Sequence, residues 1–233
     1  YGLFYYESNF IKSYILILGA VSIIAGCIGA IYQKDLKQIV IFNIVISLGV
    51  MVCGTATLNT FGVKGALLYA VNDILLKAAL FIVVGLIIYV SGVKYLQKCG
   101  LINKYPLLGW TYFIIVLSLA GVPPFSGFYG KALIIKGLVT NNNTFIAILV
   151  ALSGLVVFYS LIRIFLNVFY DNINKSLTLK PLPKGVQIPL IAIVAIALII
   201  GVSTNLLDGF FDKGIQMVLN PQHYIDLVLK KGA

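Results

Sequence analysis

Four ionisable residues stand where the sequence is otherwise apolar: Asp73, Lys77, Lys131 and Arg163. A charge at the centre of a bilayer costs about 2.5–3.5 kcal/mol on insertion scales, so such residues face a protein interior and mark a route for ions or protons. Asp73 and Lys77 lie four apart in "VNDILLKAAL". That spacing puts them on one helix face with the acid on the amino-terminal side, the favourable order for an ion pair. The pair has two readings: a structural salt bridge that cancels both charges, or a lysine that exchanges a proton with a water chain. Desolvation favours a neutral amine and a nearby carboxylate favours the ammonium, so a lysine held between them can load and unload a proton. Lys131 has no acidic neighbour in sequence, and nothing local opposes its desolvation. Its alternative role is snorkelling to an interface. Arg163, in "FYSLIRIFLNVFY", sits close to the end of its apolar run and either snorkels or joins the same route.

No nucleophile–base constellation, phosphate loop or metal-ligand cluster accompanies these charges. The cysteines Cys27, Cys53 and Cys99 form no CxxC pair, and the single histidine, His223, lies in a polar tail. A zinc or redox site is therefore not expected, and Cys27 and Cys53 read as small packing residues. The residues argue for transport, with no catalytic residue, no metal and no cofactor.

The elements that must carry them are membrane helices. Hydrophobic residues make up 61% of 233 positions and charged residues 10%, against roughly 25% charged in soluble domains. The fold class is an all-α integral membrane protein. The net charge of +10 does not indicate nucleic acid, because no basic face with interleaved aromatics exists. The cations lie in short loops, where they set topology. The chain starts at Tyr1 without a basic region and cleavage site, and reads as a piece of a longer protein whose amino-terminal part is missing. Six crossings fit: residues 10–32, 39–58, 65–91, 107–139, 144–170 and 186–204. Residues 1–206 form a membrane domain, and residues 207–233 a polar carboxyl-terminal tail.

The fourth segment contains "LAGVPPFSGFYGKALI". Pro123 and Pro124 lack amide hydrogens and clash with the preceding turn, and Gly121 and Gly127 loosen the backbone. At 33 residues the segment is long for one straight helix and short for two. If it crosses once, eight lysines of the short connections (Lys34, Lys37, Lys94, Lys98, Lys104, Lys175, Lys180 and Lys184) share one side, against Lys12 and Lys64 on the other. That is the bias expected of a cytoplasmic face, so one broken helix is expected, with the tail outside. Non-helical backbone at this depth survives only when buried in protein or lining a wet cavity, and broken helices mark ion sites in transporters. Ser126 and Tyr129 are candidates to order water there, and Lys136 anchors the outer end. Lys34, Asp35 and Lys37 form a tight turn that is either a topology signal or a point of proton uptake. Asn43 and Ser47, four apart, hold water or bond across helices.

"YQKDLKQIVIFNIVISLG", "GALLYAVNDILLKAALFIVVGLIIYVSG" and "YPLLGWTYFIIVLSLAGVPPFSGFYGK" resemble the proton-translocating antiporter-like subunits. These are large membrane subunits of respiratory NADH–quinone oxidoreductase, membrane-bound hydrogenases and Mrp-type cation/proton antiporters. The Mrp type is the nearest likeness. The resemblance covers nearly the whole chain. It implies an array of about fourteen helices in two pseudo-symmetric repeats, each with one broken helix, of which these spans match the last six. It further implies that Lys131 occupies the position of the broken-helix lysine or glutamate, and Lys77 that of a mid-helix lysine. Where many relatives carry a histidine four residues before that lysine, Asp73 stands here, so a histidine relay does not carry over. The glutamate–lysine pair of the first repeat is not in this sequence. The resemblance implies a subunit of a bacterial cytoplasmic-membrane complex exchanging sodium for protons, with other subunits and the lipid bilayer as partners. A redox-driven proton-pumping subunit is the rival.

Overall fold

The computed structural model of the chain describes residues 8–123, 125–170, 179–183 and 185–202. Helix α1 spans Ser8–Tyr32, α2 Leu36–Ala56, α3 Thr60–Ser91, α4 Pro106–Ala120, α5 Ser126–Thr140, α6 Thr144–Ile164 and α7 Gln187–Val202. A short 3-10 turn at Leu101–Asn103 precedes α4, and a π-helical turn at Phe165–Tyr170 prolongs α6. Four of these segments, α1, α2, α3 and α6 with its π turn, are long and apolar enough to cross a bilayer. Helices α4, α5 and α7 are shorter. The expected fourth segment is thus two half-helices, broken between Ala120 and Ser126. Gly127, read from sequence as part of the break, instead lies in the first turn of α5.

Local chemistry sets the helix ends. Asp35 caps α2, its Oδ1 accepting from the backbone N–H of Lys37 (2.8 Å) and of Gln38 (3.3 Å), which satisfies orphan donors of the first turn. Asn59 caps α3 by accepting from Gly62 N–H at 2.7 Å. Pro106 opens α4, where its missing N–H costs nothing. Gly121 closes α4 at φ +81°, a left-handed conformation natural to glycine.

Two faces of the bundle can be followed through the loops. On one, Leu36 N–H donates to Lys94 C=O (3.0 Å) and Leu96 N–H to Lys34 C=O (2.9 Å). There too Lys180 N–H donates to Val90 C=O at 3.0 Å, and the Tyr105 hydroxyl donates to Lys180 C=O at 2.9 Å. This face carries Lys34, Lys94, Lys98, Lys104 and Lys180. On the opposite face, Asn59 donates to Gly137 C=O (2.7 Å) and to the Thr140 hydroxyl (2.9 Å), and the Asn141 amide donates to Thr57 C=O. Helix α4 begins at the lysine-rich face and α5 ends at the other. The broken helix therefore traverses the bundle once, end to end beside the long α3, as the loop charges require.

The buried apolar side chains form two clusters stacked along the helix axes. One, toward the lysine-rich face, includes Leu36, Ile46, Leu76, Val83, Tyr112, Leu119, Val157 and Phe169. The other includes Leu16, Val50, Cys53, Tyr69, Ile134, Leu138 and Val150. Along α2 the change from one to the other falls between Ile46 and Val50, along α3 between Tyr69 and Leu76, and along α6 between Val150 and Val157.

Candidate functional site

Buried polar side chains collect where the two clusters meet, Ser47 and Asp73 at the boundary itself and Asn43, Lys77 and Ser160 rooted just inside the cluster toward the lysine-rich face. Lys77 Nζ lies 2.8 Å from Asp73 Oδ2, donates to Asn43 C=O at 3.0 Å and donates to the Ser47 hydroxyl. An ammonium has three protons, and all three find acceptors. Helical side chains slant toward the amino terminus, so Lys77 reaches back along α3 onto Asp73 and across to α2. Ser47 Oγ also donates to Asp73 Oδ1 at 2.9 Å. Asn43 turns the other way: its amide donates to the Ser160 hydroxyl of α6 at 3.0 Å and to Ile39 C=O at 2.7 Å. Asn43, Ser47, Asp73, Lys77 and Ser160 are all buried.

Tyr69 connects this group to the second lysine. Its hydroxyl donates to Ser47 Oγ at 3.2 Å, and the centre of its ring lies 5.5 Å from Lys131 Nζ, within range of a cation–π attraction. Gly130, beside Lys131, meets the Tyr69 backbone so closely that a Cβ there would stand 2.9 Å from Tyr69 Cβ.

Lys131 answers why the helix is broken by adjacent prolines. In an uninterrupted helix Leu119 C=O would accept the N–H of residue 123, and Ala120 C=O that of residue 124. Both positions are proline and offer no N–H. Lys131 Nζ instead donates to Leu119 C=O and to Ala120 C=O, each at 3.1 Å. The side chain slants back over the break from α5 and places its ammonium at the carboxyl end of α4, where the helix dipole is negative. The join is tight, since a Cβ on Gly127 would lie 2.1 Å from Ser118 O. Lys131 is 6% exposed, which leaves it no room to snorkel to an interface.

The remaining sequence candidates lie elsewhere. Arg163 is drawn to the lysine-rich face, where Nη1 donates to Ile31 C=O at 2.8 Å and Nη2 to Gln33 C=O. It pins α6 to the α1–α2 turn. The Asp35 carboxylate is engaged in its cap, and the Lys37 side chain is exposed in the first turn that this cap closes. Lys136 Nζ sits 3.9 Å from the centre of the Phe61 ring. Tyr129 is half-buried on α5, and Ser126 begins that helix. Gly121, Pro123 and Gly127 frame the break, while Pro124 lies outside the described residues. So do His223, the tail, Lys175 and Lys184. Among the described residues no group of three or more His, Cys, Asp or Glu could hold a metal.

Sequence reasoning missed Tyr69, Ser160 and Gly154. Tyr69 had a usable signal: with Asp73 and Lys77 it completes a four-residue spacing along one face of α3.

With this geometry in place, three likenesses acquire meaning. The chain is 36% identical to a Na(+)/H(+) antiporter subunit of Bacillus subtilis, over 98% of this chain and 47% of that protein. It thus spans about half the length of this curated relative. The Mrp complex of Dietzia sp. DQ12-45-1b shares the fold at TM-score 0.87 and 20% identity, over 96% of this chain and 50% of the matched one. Respiratory complex I of Thermus thermophilus shares it at TM-score 0.79 and 23% identity, over 91% of this chain and 44% of the matched one. The family model described as NADH:quinone oxidoreductase/Mrp antiporter, TM, matches residues 1–156, and the chain belongs to that family of multi-pass membrane subunits.

Proposed function

We propose that the chain is part of a membrane subunit of a multi-subunit sodium/proton antiporter in the bacterial cytoplasmic membrane. It conducts protons between Lys77 and Lys131. The observation that carries this reading is the buried layer itself: two ammonium groups enclosed between apolar clusters and linked through Ser47 and Tyr69. A purely structural subunit would have no use for Lys131, because a hydrocarbon side chain there would avoid the cost of burying a charge. Residues 1–206 form the conducting domain in this reading, and residues 207–233 a tail. The lysine-rich face is cytoplasmic. Protons reach Asp73 and Lys77 from the Asn43–Ser160 side and leave near Lys131. Arg163 and Asp35 hold the cytoplasmic rim in shape. The subunit carries ions and performs no bond chemistry on a substrate.

The shared fold with respiratory complex I supports a second reading, a proton pump powered by redox chemistry in partner subunits. A sodium gradient alone drives proton flux in the first case and not in the second. The test is Lys131→Ala in the complete complex, with sodium-driven proton flux followed by a pH-sensitive dye in everted vesicles and assembly checked on a native gel. Flux falls to background with normal assembly if the line conducts. Preserved flux would reduce Lys131 to a buried anchor.

A further inference from the structure

The proposed function assigns Lys131 a proton but leaves the other ion without a place. Leu119 C=O and Ala120 C=O point at one spot, deprived of N–H partners by Pro123 and Pro124, and a cation already fills that spot: the Lys131 ammonium, at 3.1 Å from each. Helix α4 adds the negative end of its dipole, roughly half an elementary charge. If Lys131 gives up its proton, two carbonyls and a helix terminus lose the charge they are aimed at, in a layer where unsatisfied polar groups are costly.

A second observation marks the same spot. Gly154 of α6 faces it, and a Cβ built on Gly154 would stand 3.1 Å from Ala120 O and 3.5 Å from Lys131 Nζ. A hydrogen at that position keeps open the space beside the carbonyl and the amine. The donor set also limits the ion. Hard oxygen ligands suit an alkali cation, and half-helix carboxyl ends with unwound carbonyls are a known way to hold one. Divalent ions are as a rule bound with the help of carboxylates. Asp73 is the nearest acid whose contacts are described, and it is paired with Lys77.

We infer that the carboxyl end of α4, walled by Leu119, Ala120, Lys131 and Gly154, is a binding site for a sodium-sized monovalent cation, taken in turn by the Lys131 ammonium and by the bare ion. The inference rests on the antiport reading above and gives it a reason for exchange: one set of carbonyls serves either cation and never both. The deprotonated Lys131 amine keeps its lone pair and can itself ligate the incoming ion, while the proton it released leaves along the layer.

The test uses the complete complex in proteoliposomes. Gly154→Ala narrows the site without touching a charge. It should raise the sodium concentration for half-maximal flux about tenfold. An unchanged sodium requirement, whatever the maximal flux, would overturn the site. A second measurement covers the case in which that variant fails to assemble. Radioactive sodium bound to the purified complex should rise with pH in the parent, as the ammonium vacates the carbonyls. In Lys131→Ala binding should persist and lose that pH dependence. The same pH dependence in both proteins would sink the inference. Failure of the conduction reading shows separately, as preserved flux in Lys131→Ala.

Discussion

At the scale of single residues, Tyr69 stands between the surroundings of the two lysines. Its hydroxyl reaches Ser47 and its ring reaches Lys131, so one side chain touches the surroundings of both lysines. Tyr69→Phe keeps the ring and removes the hydroxyl. If protons pass through that hydroxyl, flux should drop by about two orders of magnitude, the scale of a lost proton-transfer group. The sodium requirement should stay unchanged, because the carbonyl pair at Lys131 is intact. Flux assays over a sodium series check both, and full flux in Tyr69→Phe would leave only the ring with a role. The sequence shows why this residue escapes notice. A charge in an apolar run announces itself, as Asp73, Lys77 and Lys131 do, whereas tyrosine is common in membrane helices and reads as packing. Ser160 and Gly154 are quieter still. Their contribution is a hydroxyl and an opening, and neither shows until another helix supplies what they face.

At the scale of elements, the break between α4 and α5 was legible because prolines and glycines act on the backbone directly. The function proposed for it was not, because the groups that matter in that proposal are carbonyls, which every residue has. Only the register shows that Pro123 and Pro124 are the two positions whose N–H groups would have covered Leu119 and Ala120. This predicts the behaviour of the double substitution Pro123→Ala with Pro124→Ala. Each proline costs about 3 kcal/mol in a helix interior relative to alanine, so removing both lets helix advance into the gap and its N–H groups compete with Lys131. Hydrogen–deuterium exchange at residues 121, 122 and 125, which carry amide hydrogens in both proteins, should slow and flux should fall at least tenfold with assembly retained. Unchanged exchange and flux would mean that Gly121 alone stops the helix.

At the scale of the whole molecule, the loops at the lysine-rich face are stitched together by backbone hydrogen bonds, and Cys99 lies beneath them, 1% exposed. Burial pushes its thiol above the usual cysteine range. Thiolate is the reactive form and becomes scarcer as pH falls below a raised pKa. Cys99 should therefore resist maleimide at neutral pH in the folded complex and label promptly once denatured, as mass spectrometry would read. Rapid labelling would show that this rim opens. Between that rim and the opposite face lies the polar layer, with an apolar cluster above and below. The layer has an electrical consequence. Carrying one charge fully across a membrane involves about 2.3 kcal/mol per 100 mV, but in the proposed conduction a proton passing between Lys77 and Lys131 stays within the layer where the two clusters meet and crosses little of that drop. On that reading, membrane voltage acts on the steps that bring ions into the layer and out of it, and leaves the proposed hop between the lysines to be governed by their local partners alone.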